Sequence, residues 1–151
     1  MHEIFIRQAV LADLDHLAVI FDEYRQFQEQ PADLAAARDF LRARFDHGES
    51  IVFLAHTGEQ PVGFAQLYPS FSSVALRRVF ILNDLFVTEV GRRQNVATRL
   101  LAAVEAYARS LDASRVTLNV ARSNVAAQAL YEARGWQQDD HFFMYHRYLH
   151  D

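Results

Sequence analysis

Residues 82–101 read LNDLFVTEVGRRQNVATRLL and combine a strand-like run, a short polar loop and the opening of an amphipathic helix. The apolar stripe of that helix is Ala97, Leu100, Leu101, Val104, Ala108 and Leu111. The first turn of a helix leaves backbone N–H groups without intrahelical partners, and its dipole favours negative charge, so the junction is built like a phosphate cradle. Arg92 and Arg93 add positive charge at its rim, and Ala97 is small enough for a bulky diphosphate to approach the backbone. The same residues also fit an ordinary exposed helix start with two solvated arginines.

A second segment, NVAAQALYEARGW at residues 124–136, puts Ala127, Leu130 and Tyr131 on one helical face, with Gly135 where a left-handed C-cap belongs. Alone, Tyr131 reads more readily as a core-edge tyrosine than as a catalyst.

The elements that must position these segments follow from periodicity. Residues 1–10 alternate as a strand, with Ile4 and Ile6 on one face. Asp13 is the expected N-cap of a helix carrying Leu14, Leu17, Ile20, Phe21, Tyr24 and Phe27, which Pro31 ends. A second helix carries Leu34, Ala37, Phe40, Leu41 and Phe45 and closes near Gly48. Residues 51–55 and 62–68 form a hairpin around the turn at 57–61, residues 69–73 form a loop, and a long strand runs over 74–87. Beyond the helix after the polar loop come a strand at 116–120, the helix at 124–134 and a final aromatic strand at 142–149. The order β, α, α, β, β, β, α, β, α, β defines an α/β (α+β) chain with a mixed sheet and helices on both faces. The strands flanking the third helix should be parallel neighbours joined by a right-handed crossover.

Two ordered signatures give the chain a family resemblance. Arg92, Arg93, Gln94, Asn95, Val96 and Ala97, followed by Asn124, Ala127, Leu130, Tyr131, Gly135 and Trp136, resemble the paired motifs of the GCN5-related N-acetyltransferases (GNAT superfamily). Residues 68–73 and 82–87 look closest to the branch holding yeast-type histone, polyamine and D-amino-acid acetyltransferases. The resemblance covers essentially the whole chain. It implies a mostly antiparallel twisted sheet that binds acetyl-CoA at the splay between two parallel central strands, and acetyl transfer from acetyl-CoA, a co-substrate, to a primary amine. Leu85, Phe86 and Val87 would pair with the pantetheine arm as with an added strand. Arg92, Arg93, Gln94, Asn95, Val96, Ala97 and Thr98 would hold the diphosphate, Asn124 would reach the pantetheine, and Tyr131 would protonate the departing sulfur. A thiolate of pKa roughly 8.5 can be met by a phenol of roughly 10 held in place.

The sequence departs from the family pattern at two positions. Asn95 stands where the family usually has Gly, which bears on cofactor affinity because its side chain occupies space near the diphosphate. Asn83 stands where some polyamine-acetylating relatives carry Glu, and Asn cannot remove a proton. An amine of pKa near ~10.4 must lose one before it attacks. Asp84, Glu23, Tyr24 or a water chain could take it, and Glu23, Tyr24, Asn83 and Asp84 are the expected acceptor-side residues. Asp84 could equally be structural, alternating to the other face of its strand. Asp22, Glu23, Asp84, Asp139 and Asp140 would set negative charge at the amine entrance, opposite the arginines; the alternative is scattered solvated charge.

Composition narrows the classes. The 151 residues fit one domain, residues 1–151, able to bury a core without staples. A net charge of -4 from 15 basic and 19 acidic residues lacks the basic field of a nucleic-acid binder. The absence of cysteine removes disulfides, thiolate nucleophiles and cysteine-ligated zinc. His146 and His150, four apart on or beyond a strand, do not converge on one metal, and no metal is expected. No apolar run approaches a spanning helix, so neither membrane nor nucleic acid is an expected partner and the cytoplasm is the expected location. Aromatics on both faces of the last strand, Phe142, Phe143, Tyr145 and Tyr148, point to a partner surface and a symmetric homodimer. Two alternatives stand beside a small-molecule amine acetyltransferase: a non-catalytic acetyl-CoA or acyl-CoA sensor, and a protein or peptide lysine acetyltransferase.

Overall fold

A computed structural model describes residues 3–150; Met1, His2 and Asp151 lie outside the described residues, including the start of the first expected strand. The chain divides into two compact units, residues 1–119 and 120–151.

The first unit is a sheet of order β1-β2-β3-β4-β5, where β1 is Phe5–Gln8, β2 Ile51–Thr57, β3 Gln60–Ser72, β4 Arg77–Val87 and β5 Arg115–Thr117. Pairings from β1 to β4 are antiparallel; β4 and β5 are parallel over Val79 to Ile81. The helices are α1 (Leu14–Phe27), α2 (Leu34–His47) and α3 (Val96–Ser110), and the crossover from β4 through α3 to β5 is the one expected. Residues 69–73, expected as a loop, instead continue β3 through Ser72. Pro69 to Ser72 pair with Phe80 to Arg77, so long-range pairing outweighs the local turn chemistry.

Both faces of β3 are buried, which its continuous apolar run Val62 to Ala65 requires. Phe64 and its partner Phe86 face α1, where Phe64 meets Phe21 and Tyr24 edge-on at 6.0 and 5.5 Å. Gly63 lies under Val96 and Leu100 of α3 on the opposite face, and Tyr107 of α3 packs between Phe53 and Phe80. Helices therefore cover both faces of the sheet.

The entry to α1 is tied differently from the simple cap expected. Asp13 ends a short 3-10 turn, accepts two bonds from the Arg7 guanidinium at 2.7 and 2.8 Å, and accepts the Val10 N–H at 2.8 Å. The guanidinium is the main cause that holds the Asp13 carboxyl at about 2. A depressed pKa stabilises the fold above the ordinary carboxylate range, and that contribution disappears as pH falls from about 4 through 2. Arg7 is 45% exposed, so solvent screening leaves about 1 kcal/mol for Asp13→Asn. Denaturant midpoints should differ most above pH 4 and converge near pH 2; a difference independent of pH contradicts the assignment.

In the second unit, α4 spans Val125–Ala133. Residues 142–149, expected as an aromatic strand, carry no regular secondary structure within this unit. Among the described residues β5 is the last strand in the sheet order, and it stops at Thr117 rather than Val120.

Candidate active site

Within the first unit, the site is built where β4 leaves its partner. β5 pairs with β4 only as far as Ile81, so Leu82 to Val87 have β3 on one side and no strand on the other among the described residues. Leu85 and Val87 are half-buried and lie on this open stretch. Phe86 spends its side chain on the aromatic core, with Tyr24 at 5.6 Å and Phe64 at 6.3 Å, and can offer a ligand only backbone groups. An unpaired strand edge is a template for any extended group carrying amides.

The loop after β4 is pressed onto β3. Buried Thr88 donates its N–H and hydroxyl to the Val62 carbonyl at 2.9 and 3.2 Å, and the Gly91 N–H returns to Thr88. A Cβ at Gly91 would sit 2.8 Å from the Val62 carbonyl oxygen, so only glycine lets the loop lie this close. Arg93 and Asn95 then take left-handed backbones, φ 65 and 58, which turn the chain into α3. Asn tolerates this conformation better than most side chains, which explains how the chain dispenses with the family's glycine. The Gln94 amide folds back to the Val90 carbonyl at 2.9 Å, and the Arg92 guanidinium leans toward the Phe27 ring at 5.9 Å.

The N-terminus of α3 has no side-chain cap, whereas Asp33 caps α2 through Ala36 N–H and Asn124 caps α4 through Ala127 N–H. Its first-turn amides, at Val96, Ala97 and Thr98, sit beside exposed Arg92 and Arg93. This is a positive end suited to a diphosphate. Asn95→Gly should keep the turn, remove the side chain and tighten acetyl-CoA by up to about tenfold, read by calorimetric titration. Weaker binding by the glycine variant would show that the Asn95 side chain contacts the cofactor.

Asp84 is 6% exposed, and pairing of Gln66 with Asp84, two positions from the Phe64–Phe86 pair, puts it on the α1 face. Gln66 Nε2 donates to Asp84 Oδ2 at 2.9 Å and Asn83 Nδ2 donates to Oδ1 at 3.1 Å. The register shifts by one residue here, making Asn83 the extra residue of a bulge. Asn83 thus supports the carboxylate beside it. Gln66 is fully buried, and its Oε1 lacks a partner. Burial of the Tyr68 phenol, together with the Asp84 charge, pushes that phenol up to about 12.

The remaining sequence candidates are dispersed. Glu23 is exposed and lines a groove of about 510 Å³ with Glu59, Thr88 and Glu89, a lining that does not include Asp84. Tyr24 packs into the aromatic cluster. Asp22, expected at an acidic entrance, is buried instead; it accepts the Asp33 N–H at 2.9 Å and fixes the α1–α2 connection. Among the described residues, no group of three His, Cys, Asp or Glu side chains gathers as metal ligands.

In the second unit, Tyr131 projects from α4 half-buried, and burial raises its phenol above the ordinary value. Its ring lies 5.8 Å from Trp136. Gly135, at φ 90, closes α4: its N–H bonds the Glu132 carbonyl and the Trp136 N–H bonds the Tyr131 carbonyl. That closure fixes the spacing from Tyr131 to Trp136. Asn124, expected on the pantetheine, uses its side-chain oxygen for the helix cap at 3.2 Å. Asp139 and Asp140 are exposed and engage His141.

Gln66, Thr88 and Gly91 are the site residues that sequence reasoning missed. Only Gly91, in the loop before an arginine pair, carried a local signal.

Sequence comparison matches residues 14–136 to the acetyltransferase (GNAT) family. The chain belongs to the GNAT family of acetyltransferases. It is 41% identical over 140 residues to an uncharacterized N-acetyltransferase of Bacillus subtilis, YhfO, covering 93% of this chain and 94% of that one. A crystal structure of a probable acetyltransferase superimposes with a TM-score of 0.93 at 40% identity, over 97% of this chain and 99% of the other. The aminoglycoside N-acetyltransferase AAC(6')-Iy, solved with CoA, shares the fold at 19% identity and a TM-score of 0.78, over 97% and 96% of the two chains.

Proposed function

We propose that residues 1–151 act in the cytoplasm as one acetyltransferase domain that moves an acetyl group from acetyl-CoA directly to a primary amine of a polyamine-like or amino-acid-like small molecule. The observation that carries this reading is the open edge of β4 beyond Ile81, running into the uncapped N-terminus of α3. Leu85, Phe86 and Val87 pair through their backbones with the pantetheine arm, and the loop with the first turn of α3, Arg92 to Thr98, binds the diphosphate.

Asp84 takes a proton from the amine, directly or through water, while Gln66 and Asn83 hold its oxygens. The neutral amine nitrogen bonds to the acetyl carbonyl carbon, the carbon–sulfur bond breaks, the Tyr131 hydroxyl donates its proton to the leaving sulfur, and the proton lost from the nitrogen as the amide forms returns to the Tyr131 phenolate. The phenol is protonated at neutral pH at its ordinary value of roughly 10, and burial raises it further. The buried Asp84 favours a cationic acceptor, and the aminoglycoside substrate class named for one fold relative is compatible with that. The enzyme works as a homodimer, a reading supported by the exposed aromatics of residues 142–149.

A thiol-release assay with acetyl-CoA against polyamines, amino acids, aminoglycosides and lysine peptides tests the acceptor class. Turnover is expected with a polycationic small amine, its Michaelis constant rising with salt. Turnover confined to peptides overturns the small-molecule acceptor.

A further inference from the structure

Thr88 is a buried polar residue at the point where β4 passes into the loop before α3. Its hydroxyl makes two bonds, donating to the Val62 carbonyl of β3 at 3.2 Å and accepting the Gly91 N–H at 3.3 Å, so one oxygen ties the sheet to a residue three positions along the loop. The bonds from Arg92 N–H to the Glu89 carbonyl and from the Gln94 amide to the Val90 carbonyl run within the loop and shape it without tying it to the sheet. Beyond Gly91, Arg93 and Asn95 hold left-handed backbones, which residues with side chains keep only where their surroundings fix them. Turns of this kind line successive amides into a concavity for an anion.

We infer that Thr88 is a positioning residue for acetyl-CoA, its hydroxyl fixing the loop against β3 so that the amides leading into α3 meet the diphosphate already in place. Gly91 supports this from the other side of the contact: an added Cβ would meet both the Val62 carbonyl oxygen and the Val62 Cβ, at 2.8 and 2.9 Å, so the loop already lies as close to β3 as it can. A loop held in its bound shape loses less freedom when the ligand arrives, and that saving appears as affinity. The inference rests on the acetyl-CoA reading above and adds to it a residue that acts through the loop.

Thr88→Val separates this role from simple support of the fold. Valine matches threonine in shape, the Val62 carbonyl keeps the N–H of residue 88 at 2.9 Å, and the Gly91 N–H keeps the carbonyl of residue 88 at 3.0 Å, so no buried polar group loses its last partner. The full-length parent, Thr88→Val and Thr88→Ser are titrated with acetyl-CoA and with S-acetylpantetheine, which carries the same acyl arm and no diphosphate, and are melted without ligand. Thr88→Val is expected to weaken acetyl-CoA by about tenfold, while S-acetylpantetheine affinity and the melting temperature stay close to those of the parent. Thr88→Ser, which keeps the hydroxyl, should bind acetyl-CoA as the parent does. Unchanged acetyl-CoA affinity in Thr88→Val, an equal loss for S-acetylpantetheine, or a loss that Thr88→Ser shares overturns the positioning role and leaves the acetyl-CoA reading standing. A parent that binds neither probe overturns both.

Discussion

Tyr131→Phe is expected to lower the turnover number by about a hundredfold or more while acetyl-CoA affinity and the melting temperature stay close to those of the parent. Phenylalanine keeps the ring that stands 5.8 Å from Trp136 and leaves the backbone closure of α4 at Gly135 untouched. What it removes is a half-buried hydroxyl whose proton burial holds more tightly than in an ordinary phenol. Loss of that proton leaves the sulfur to depart as an unassisted thiolate. The measurement is steady-state turnover under conditions where chemistry limits the rate, with calorimetry of acetyl-CoA as the control. Unchanged turnover removes the general-acid role. An equal fall in cofactor affinity would instead assign Tyr131 to binding.

Asp84→Asn is expected to lower kcat/KM for the amine by a comparable factor at neutral pH, with a gap that narrows as pH rises toward the amine's own pKa near ~10.4. A base matters most when the acceptor is protonated, and an already neutral amine needs it less. Gln66→Leu should give a smaller loss of the same kind, because it removes the 2.9 Å bond that orients Asp84 Oδ2 without removing the carboxylate. A defect of the same size at every pH, accompanied by a lower melting temperature, would make the Gln66–Asp84 pair a purely structural feature of the sheet.

The parts of this site that were legible beforehand are those with local causes. A strand, a polar loop and a helix start occur within twenty residues, and Asn124 to Trp136 is a single helix with its cap, so residue type and spacing sufficed. The parts that escaped depend on distant pairing. Gln66 and Asp84 meet across 18 positions of sequence, at a register shift that neither strand announces. Asp22 looked like surface charge until the α1–α2 connection folded its N–H onto it.

The central claim, direct transfer of an acetyl group to an amine, is tested most directly by following the acetyl carbon itself. Acetyl-CoA labelled with carbon-13 in the acetyl group is incubated with the enzyme and a polycationic amine, and the small molecules and the intact protein are weighed by mass spectrometry. The account predicts label in an amide on the amine, one free thiol for each amide formed, and no labelled protein at any time. Label retained in acetyl-CoA despite saturable binding of that cofactor, or label accumulating on the protein, would contradict it.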